Sequence, residues 1–359
     1  MSRDYVGIAN DYARQVVAGD ISACKWVRLA CQRQLNDLER EGTEEFPYWF
    51  EPDLANRVCT FIELLPHVKG EWARKQERIQ LMPWQIFRLT TVFGWIGEGG
   101  YRRFKVAYNE LPRKQGKSSE TSGVGLYMLT ADGEPGAEVY SAATTRDQAQ
   151  ITWRDAKRMV EKTPGLQGRF GVSTSSNTVY VEHTNSVFRP LSRDQGGNHD
   201  GLNVHGGLID ELHAHKTREI FDVIETGTGA RMQPLLWLIT TAGSNRAGIC
   251  YEQRAYVTKI LDGVVRDESY FGIIYTIDDG DDWTDPASWR KANPNWGVSV
   301  NPDDIQRKAR KAMTMASATN NFLTTHLNVW VNADTAWMDM QAWERCADTG
   351  LSLSDFDGG

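Results

Sequence analysis

An apolar run at 104–108 (Phe104, Val106, Tyr108) leads into Leu111-Pro112-Arg113-Lys114-Gln115-Gly116-Lys117-Ser118, and a segment rich in small residues follows at 118–129. A buried strand that feeds a tight basic loop and then a helix constrains the fold more than any other feature. It commits the chain to parallel strands joined by crossover helices. The loop chemistry is equally restrictive. Gly116 allows close approach of the backbone, the N–H groups at the helix start point outward, and Lys117 adds a positive charge, so the loop suits a bound phosphate. The common form of this loop opens with a further glycine, where this chain has Leu111.

The complement lies at Gly207-Leu208-Ile209-Asp210-Glu211, a short apolar strand ending in two carboxylates. That places both acids at the carboxyl edge of a strand, where ligands gather in open α/β sheets. Asp210 is suited to the hydration shell of Mg²⁺, with the Ser118 hydroxyl as a second oxygen ligand, and Glu211 to orienting or deprotonating the water that attacks a γ-phosphate. The pair of motifs predicts a nucleoside triphosphatase using ATP and Mg²⁺. Pro83-Trp84-Gln85 adds a glutamine amide able to pair with adenine; the competing reading keeps Trp84 and Phe87 in a core with Gln85 exposed. Thr240-Thr241-Ala242-Gly243 ends a strongly apolar strand at 235–240, where hydroxyls can sense the γ-phosphate. His199, His205, His213 and His215 cluster around the Asp210 strand, but no cysteine stands at zinc-like spacing and Mg²⁺ prefers oxygen. Arg189, Arg193 and Arg231 are candidates for an arginine acting on a neighbouring subunit.

The remaining pattern is an alternation of helix and strand. Apolar positions three and four apart in the first forty residues predict two helices broken at Gly19-Asp20, followed by a loop at 41–52 and a short element at 56–65. A strand at 137–142, a helix opened by a Thr145-x-x-Gln148 capping box, a hairpin at 178–190 and a helix from about Thr217 follow. Beyond Tyr275 a turn-rich, Trp-rich stretch gives way to helical patterns at 302–316 and 320–330. The fold expected is an α/β P-loop NTPase with a mainly parallel sheet covered on both faces. Residues 1–75 form a helical N-terminal appendage, 76–275 the ATPase core, and 276–359 a lid or linker subdomain.

With 359 residues, 40% of them hydrophobic, and 13 tryptophans, the chain has enough apolar surface for a large core. A net charge of −7 excludes a uniformly basic, nucleic-acid-coating surface. Basic clusters do occur at Arg102-Arg103-x-Lys105 and Arg307-Lys308-x-Arg310-Lys311, and each reads first as a solvated loop or helix face. The five cysteines have no Cys-x-x-Cys pair, which predicts reduced thiols. Neither a membrane span nor a signal peptide is indicated, and a cytosolic protein is expected.

Several of these stretches resemble the ATPase domain of the large terminase subunit of tailed bacteriophages. They are the Arg113-x-x-Gly116-Lys117-Ser118 loop without its first glycine, the run from Leu191 to Asn203, and Ile209-Asp210-Glu211-Leu212-His213-Ala214-His215-Lys216. The segments at 239–243, Trp289…Asn293-Pro294-Asn295 and His326-Leu327-Asn328-x-Trp330 match the same family. The resemblance implies an additional-strand, RecA-like ATPase that drives viral double-stranded DNA through a portal into a procapsid. It implies work as a homo-oligomeric ring, recruitment with a small terminase subunit, and action in the host cytoplasm. It makes Arg113 a phosphate-sensing arginine, Gln85 the adenine reader and Thr240-Thr241 the coupling element. The nucleotide-contacting set then comprises Gln85, Arg113, Lys114, Gln115, Gly116, Lys117, Ser118, Ser119, Thr240, Thr241 and Arg193, with Ser118 and Asp210 at the metal and Glu211, Lys117 and Arg113 in catalysis. Family members continue into an RNase H-like nuclease domain. Because the sequence stops at Gly359, the nuclease is expected to be absent, and the chain reads as an ATPase fragment that does not cut DNA. The alternatives are a helicase or restriction-type DNA-dependent ATPase, and an assembly module that binds nucleotide without hydrolysis.

Overall fold

The computed structural model describes residues 3–143, 146–191 and 201–332. It opens with α1 (Tyr5–Ala18) and α2 (Lys25–Glu39). Asp4 caps α1 by accepting the Gly7 N–H at 2.9 Å, and Gly19, at φ 88°, ends it. After β1 (Trp49–Phe50) comes α3 (Pro52–Glu63), which starts earlier than the element expected at 56–65. Pro52 is pre-set for a first helical turn. A short α4 (Gly70–Arg74) precedes α5 (Pro83–Gly94), and β2 (Trp95–Ile96) then pairs antiparallel with β1.

From there strands and helices alternate. They run β3 (Val106–Glu110), α6 (Lys117–Thr130), β4 (Glu138–Ala142), α7 (Arg146–Glu161) and α8 (Pro164–Phe170). Next come β5 (Val172–Thr174), β6 (Val179–Val181), β7 (Ser186–Leu191), β8 (Val204–Asp210), α9 (Glu219–Thr226), β9 (Leu235–Thr240), α10 (Ile249–Leu261) and β10 (Tyr270–Ile274). The strands form one sheet in the order β10-β3-β9-β8-β4-β7-β6-β5. It is parallel from β10 to β7 and closes with the antiparallel β7, β6 and β5. β9 sits between the strand leading into the phosphate loop and the strand bearing Asp210, which is the inserted strand that an additional-strand ATPase requires. Its six residues are all buried, as expected of a strand covered on both faces. Successive residues of β8 show the two layers: a Cβ on Gly206 would meet Met128 of α6 at 3.1 Å, and one on Gly207 would meet Ile224 of α9 at 2.4 Å.

The N-terminal helices pack into the same apolar core as the sheet. Part of the seam is ionic. Arg103 is 3% exposed, donates to Asp37 of α2 at 2.8 Å, contacts Glu268, and lies over the rings of Phe104 and Phe46 at 4.5 and 4.6 Å. Arg102 pairs with Asp132. The expectation of a solvated face is therefore corrected for this cluster, whose guanidinium groups are buried because acids from other elements meet them. Beyond β10, α11 (Pro286–Ala292), α12 (Pro302–Thr314) and α13 (Ala316–His326) build a second, smaller core around Trp289, Ile305 and Phe322. Asp285 and Asn301 cap α11 and α12, each followed by a proline at the first helical position. Thr145 lies outside the described residues, as do the loop at 192–200 and residues 333–359. No helix of the described residues is long and apolar enough to cross a membrane.

Candidate nucleotide site

The loop between β3 and α6 closes on the carboxyl edge of the sheet. Leu111 N–H donates to the Thr240 carbonyl at 2.9 Å, and the Lys117 ammonium reaches the Leu111 carbonyl at 3.2 Å. The left-handed positions in this loop are Lys114 (φ 69°) and Gly116 (φ 76°). Leu111 is fully buried and not among them, so a side chain replaces the usual first glycine without backbone strain. Gly116 differs: a Cβ there would find Gln85 only at 3.8 Å, yet the φ is unfavourable for an L-residue. Gly116→Ala is expected to lower stability by about 1–2 kcal/mol, read from the shift in the urea unfolding midpoint. An unchanged midpoint would contradict this conformation of the loop.

Residues from the second core strap the loop in place. Arg113 N–H donates to the Thr325 carbonyl at 2.8 Å, and Ser299 Oγ donates to the Lys114 carbonyl at 2.5 Å. The Gln115 amide donates to Asn293 Oδ1 at 2.7 Å and accepts the Asn295 N–H at 3.0 Å. Gln115 is buried and Lys117 nearly so, whereas Arg113, Lys114 and Gly116 are exposed and Ser118 and Ser119 half-buried.

Gln85 lies beneath the loop, buried rather than exposed. Its amide oxygen accepts the Met82 N–H at 3.0 Å and its amide nitrogen donates to Glu120 of α6 at 2.8 Å. Each polar end therefore has one partner within the protein and one bonding position beyond it. Glu120 in turn binds the fully buried Arg88 at 2.6 Å, and Arg88 lies 4.6 Å over Trp84.

Asp210 and Glu211 stand at the end of β8. Burial and the neighbouring Glu211 carboxylate push Asp210 up to about 6. Burial acts in the same sense on Glu211, but its hydrogen bond to His213 and the charge of Lys117 prevail and hold it down to about 2. Burial lowers the Lys117 ammonium, against the pull of Glu211 and Asp210. Glu211 takes a left-handed conformation (φ 49°) and its Oε2 lies 3.2 Å from His213 Nδ1 and 3.5 Å from Thr241 Oγ1. A buried carboxyl raised by an adjacent carboxylate is relieved by a hard cation, and an oxygen-only donor set fits Mg²⁺, which binds through one or two protein oxygens plus phosphates. Among the described residues no group of three His, Cys, Asp or Glu side chains could hold a metal by itself. His213 serves Glu211 and Thr240, and His205 is bonded to Asp132. His199 lies outside the described residues.

The end of β9 links this edge to the C-terminal segment. Thr240 Oγ1 accepts the His213 N–H at 3.0 Å, and the Ala242 N–H donates to Asn328 Oδ1 at 2.6 Å. Asn328 Nδ2 donates to Glu110 at 3.2 Å and to the Tyr275 carbonyl at 2.8 Å. Asn328 thus ties together the ends of β3, β9 and β10. Sequence reasoning had no role for Asn293, Asn295, Ser299, Glu110 or Asn328; the Asn-Pro-Asn turn was the available signal. Of the candidate arginines, Arg189 is exposed on β7, and Arg193 lies outside the described residues. Arg231 is corrected to a structural tether: it binds Glu134 and the carbonyls of Pro135, Gly136 and Asn203, which leaves no free guanidinium edge to present to a neighbour.

Comparison with known proteins agrees with this geometry. The model of the terminase large subunit ATPase domain matches residues 83–259, and that of the terminase large subunit endonuclease domain matches residues 264–357. The expected absence of the nuclease is thereby corrected in part. The carboxylates of that segment, from the run Asp278-Asp279-Gly280-Asp281-Asp282 to Asp355 and Asp357, fall in no spacing that reads as a metal-binding motif, so the sequence did not reveal it. The second match begins ahead of β10, a strand paired within the ATPase sheet, so the boundary between the two models falls inside one structural unit. Protein YmfN of Escherichia coli (strain K12) is 44% identical over 188 residues, covering 52% of this chain and 41% of that protein. The large subunit of terminase from Enterobacteria phage HK97 is 26% identical over 252 residues, covering 69% and 48%. The chain thus spans about half the length of the curated relatives it matches. The crystal structure of the HK97 bacteriophage large terminase superposes with a TM-score of 0.66 at 24% identity, over 81% of this chain and 58% of that one, and so shares its fold. Strand order, loop and paired family matches together place this chain in the terminase large subunit family.

Proposed function

We propose that the chain is an ATP hydrolase whose turnover drives double-stranded DNA into a procapsid through a portal. On this reading it acts as a homo-oligomeric ring with a small terminase subunit, in the cytoplasm of the bacterial host. The observation that carries the reading is the convergence of Lys117 with Asp210 and Glu211 at one edge of the parallel sheet, where Lys117 acts on both carboxylates and they on it. Family membership supports the DNA-packaging role.

Each residue has a role in this site. Lys117 and the N–H groups at the start of α6 bind the phosphates, while Ser118 and Asp210 would hold Mg²⁺, which would supply neutralisation of phosphate charge. Glu211, ionised and weakly basic, orients the attacking water rather than stripping its proton outright. Gln85 reads adenine, and Arg113 senses the phosphates, with Lys114, Gln115 and Ser119 completing the cradle. Thr240 and Thr241 touch Glu211 and His213 on one side and lead to Asn328 on the other, a route by which loss of phosphate reaches the C-terminal segment. Residues 1–75 brace the core, and the described residues at 276–332, within the stretch that the endonuclease model matches, serve as the linker that straps the loop. A helicase-type enzyme needs a second sheet domain after Tyr275, and the described residues there form α11, α12 and α13 instead.

The test is phosphate release with Mg²⁺ and ATP, with and without duplex DNA. Lys117→Ala is expected to lower the rate at least about 100-fold, since it removes charge at the transferring phosphate. Turnover equal to wild type would sink the assignment.

A further inference from the structure

Behind the phosphate loop, on the side facing the second core, lies a cavity of about 340 Å³. Its wall is strongly basic: Arg113 and Lys114 come from the loop, and Arg307, Lys308 and Lys311 from α12. The three α12 residues share the cavity face of that helix, while Ile305, Ala309 and Ala312 turn into the small core. One carboxylate offsets them. Asp304 pairs with Arg307 and Lys308, both at 2.6 Å, whereas Arg113, Lys114 and Lys311 form no ion pair among the described residues, Arg113 acting on Glu211 only through its charge at longer range. His326, also in the wall, is held down to about 4, first by burial and then by Lys308, Arg113 and Lys114, against Asp304. It is therefore neutral at physiological pH and adds no further positive charge to the wall. In a chain of net charge −7, five cations around one cavity with one acid is a local reversal of sign.

We propose that this cavity is a phosphate-oxyanion site separate from the nucleotide site, sharing Arg113 and Lys114 with the phosphate loop. The inference rests on the nucleotide reading only for that sharing. An oxyanion held by Lys311, Lys308 and Arg307 attracts the Arg113 guanidinium toward α12, while the Arg113 backbone stays pinned to Thr325. Occupancy of one site then competes with the other for a single arginine. Two sources present this chemistry: a phosphodiester in the backbone of duplex DNA, and free phosphate or pyrophosphate.

The experiment uses the full chain carrying Arg307→Ala with Lys311→Gln, two exposed positions outside the catalytic set, with Lys311→Gln alone as the milder variant. Affinity is measured for a short DNA duplex across a salt series, for pyrophosphate, and for a fluorescent ATP analogue. The double variant is expected to lose at least about tenfold in affinity for duplex, for pyrophosphate or for both, with the duplex salt slope falling by about two. Loss for duplex alone identifies the backbone as the source, and loss for pyrophosphate identifies free phosphate. Arg310→Ala removes one charge from the same helix outside the cavity, as Lys311→Gln alone removes one inside it, and is expected to lose less than about twofold for pyrophosphate and less than the double variant for duplex. Unchanged affinity for both probes, an equal loss in Arg310→Ala, or an equal loss of the ATP analogue would overturn the proposal. Failure of the wild-type chain to bind the ATP analogue would instead strike the nucleotide reading, with the other two probes still deciding the cavity.

Discussion

Glu211→Gln is expected to bind Mg²⁺ and ATP nearly as well as the wild-type chain and to hydrolyse it at least about 100-fold more slowly. The substitution keeps the shape of the side chain and removes its charge. Glu211 is held from two sides, by His213 Nδ1 at 3.2 Å and Thr241 Oγ1 at 3.5 Å, and its left-handed backbone fixes where β8 stops. A carboxylate held down to about 2 is ionised at neutral pH, so on the proposed reading it serves as a fixed acceptor for the water O–H. An amide presents one oxygen and one N–H donor, and the donor opposes the required water orientation. On the proposed reading, binding depends on Lys117, Ser118 and the loop N–H groups, none of which the change replaces. Single-turnover hydrolysis with parallel nucleotide titration separates the two. Loss of binding together with hydrolysis would assign Glu211 to holding the loop, contrary to this account.

A structural change of comparable size is expected at Asp132→Asn, far from the nucleotide. Asp132 follows α6 and accepts from Arg102 at 2.8 and 3.2 Å, with His205 Nε2 at 2.7 Å on its other side; all three side chains are buried. Neutralising the carboxylate strands a buried guanidinium, which costs about 3–5 kcal/mol. The pH dependence follows from the same contacts. Burial alone raises the carboxyl, yet Arg102 and His205 hold it down to about 2, below its ordinary value near 3.9. A depressed folded value means the stabilisation is complete above about pH 4 and is lost as pH falls toward about 2, amounting to about 2 kcal/mol. Urea unfolding at pH 7 and along an acid series checks both parts. The variant is expected to be less stable at pH 7 and to have a flatter acid limb; equal stability at pH 7 would remove the pair from the core account.

The sheet, and the placement of the loop and the acidic strand end on it, were legible because their signals are local. Residues 235–240 read as a buried strand from six consecutive apolar or small residues, and the Gly116-Lys117-Ser118 and Asp210-Glu211 motifs each carry their chemistry within a few positions. What escaped depends on partners distant in sequence. β10 and α10 were not foreseen; β10 is wholly buried at the sheet edge, under α2 and α10. Arg102 and Arg103 read as solvent-facing because their acids, Asp132, Asp37 and Glu268, lie elsewhere in the chain. The straps on the phosphate loop come from Asn293, Asn295, Ser299 and Thr325, more than a hundred residues beyond it, and no periodicity announces a hydrogen bond of that span. Leu111 is the instructive case. The missing glycine looked like a defect in the motif, and it is instead a buried anchor whose N–H fastens the loop to the end of β9.

On the proposed reading, the loop after β3 is the cradle of a nucleotide's phosphates, with Lys117 as its charge. Calorimetric titration of a slowly hydrolysed ATP analogue with Mg²⁺ into the wild-type chain and Lys117→Ala tests it most directly. The account predicts saturable one-to-one binding to the wild type and a loss of at least about tenfold in affinity in the variant, the worth of a charge-assisted hydrogen bond to phosphate. Equal affinity in the two, or no binding by the folded wild-type chain, would contradict it.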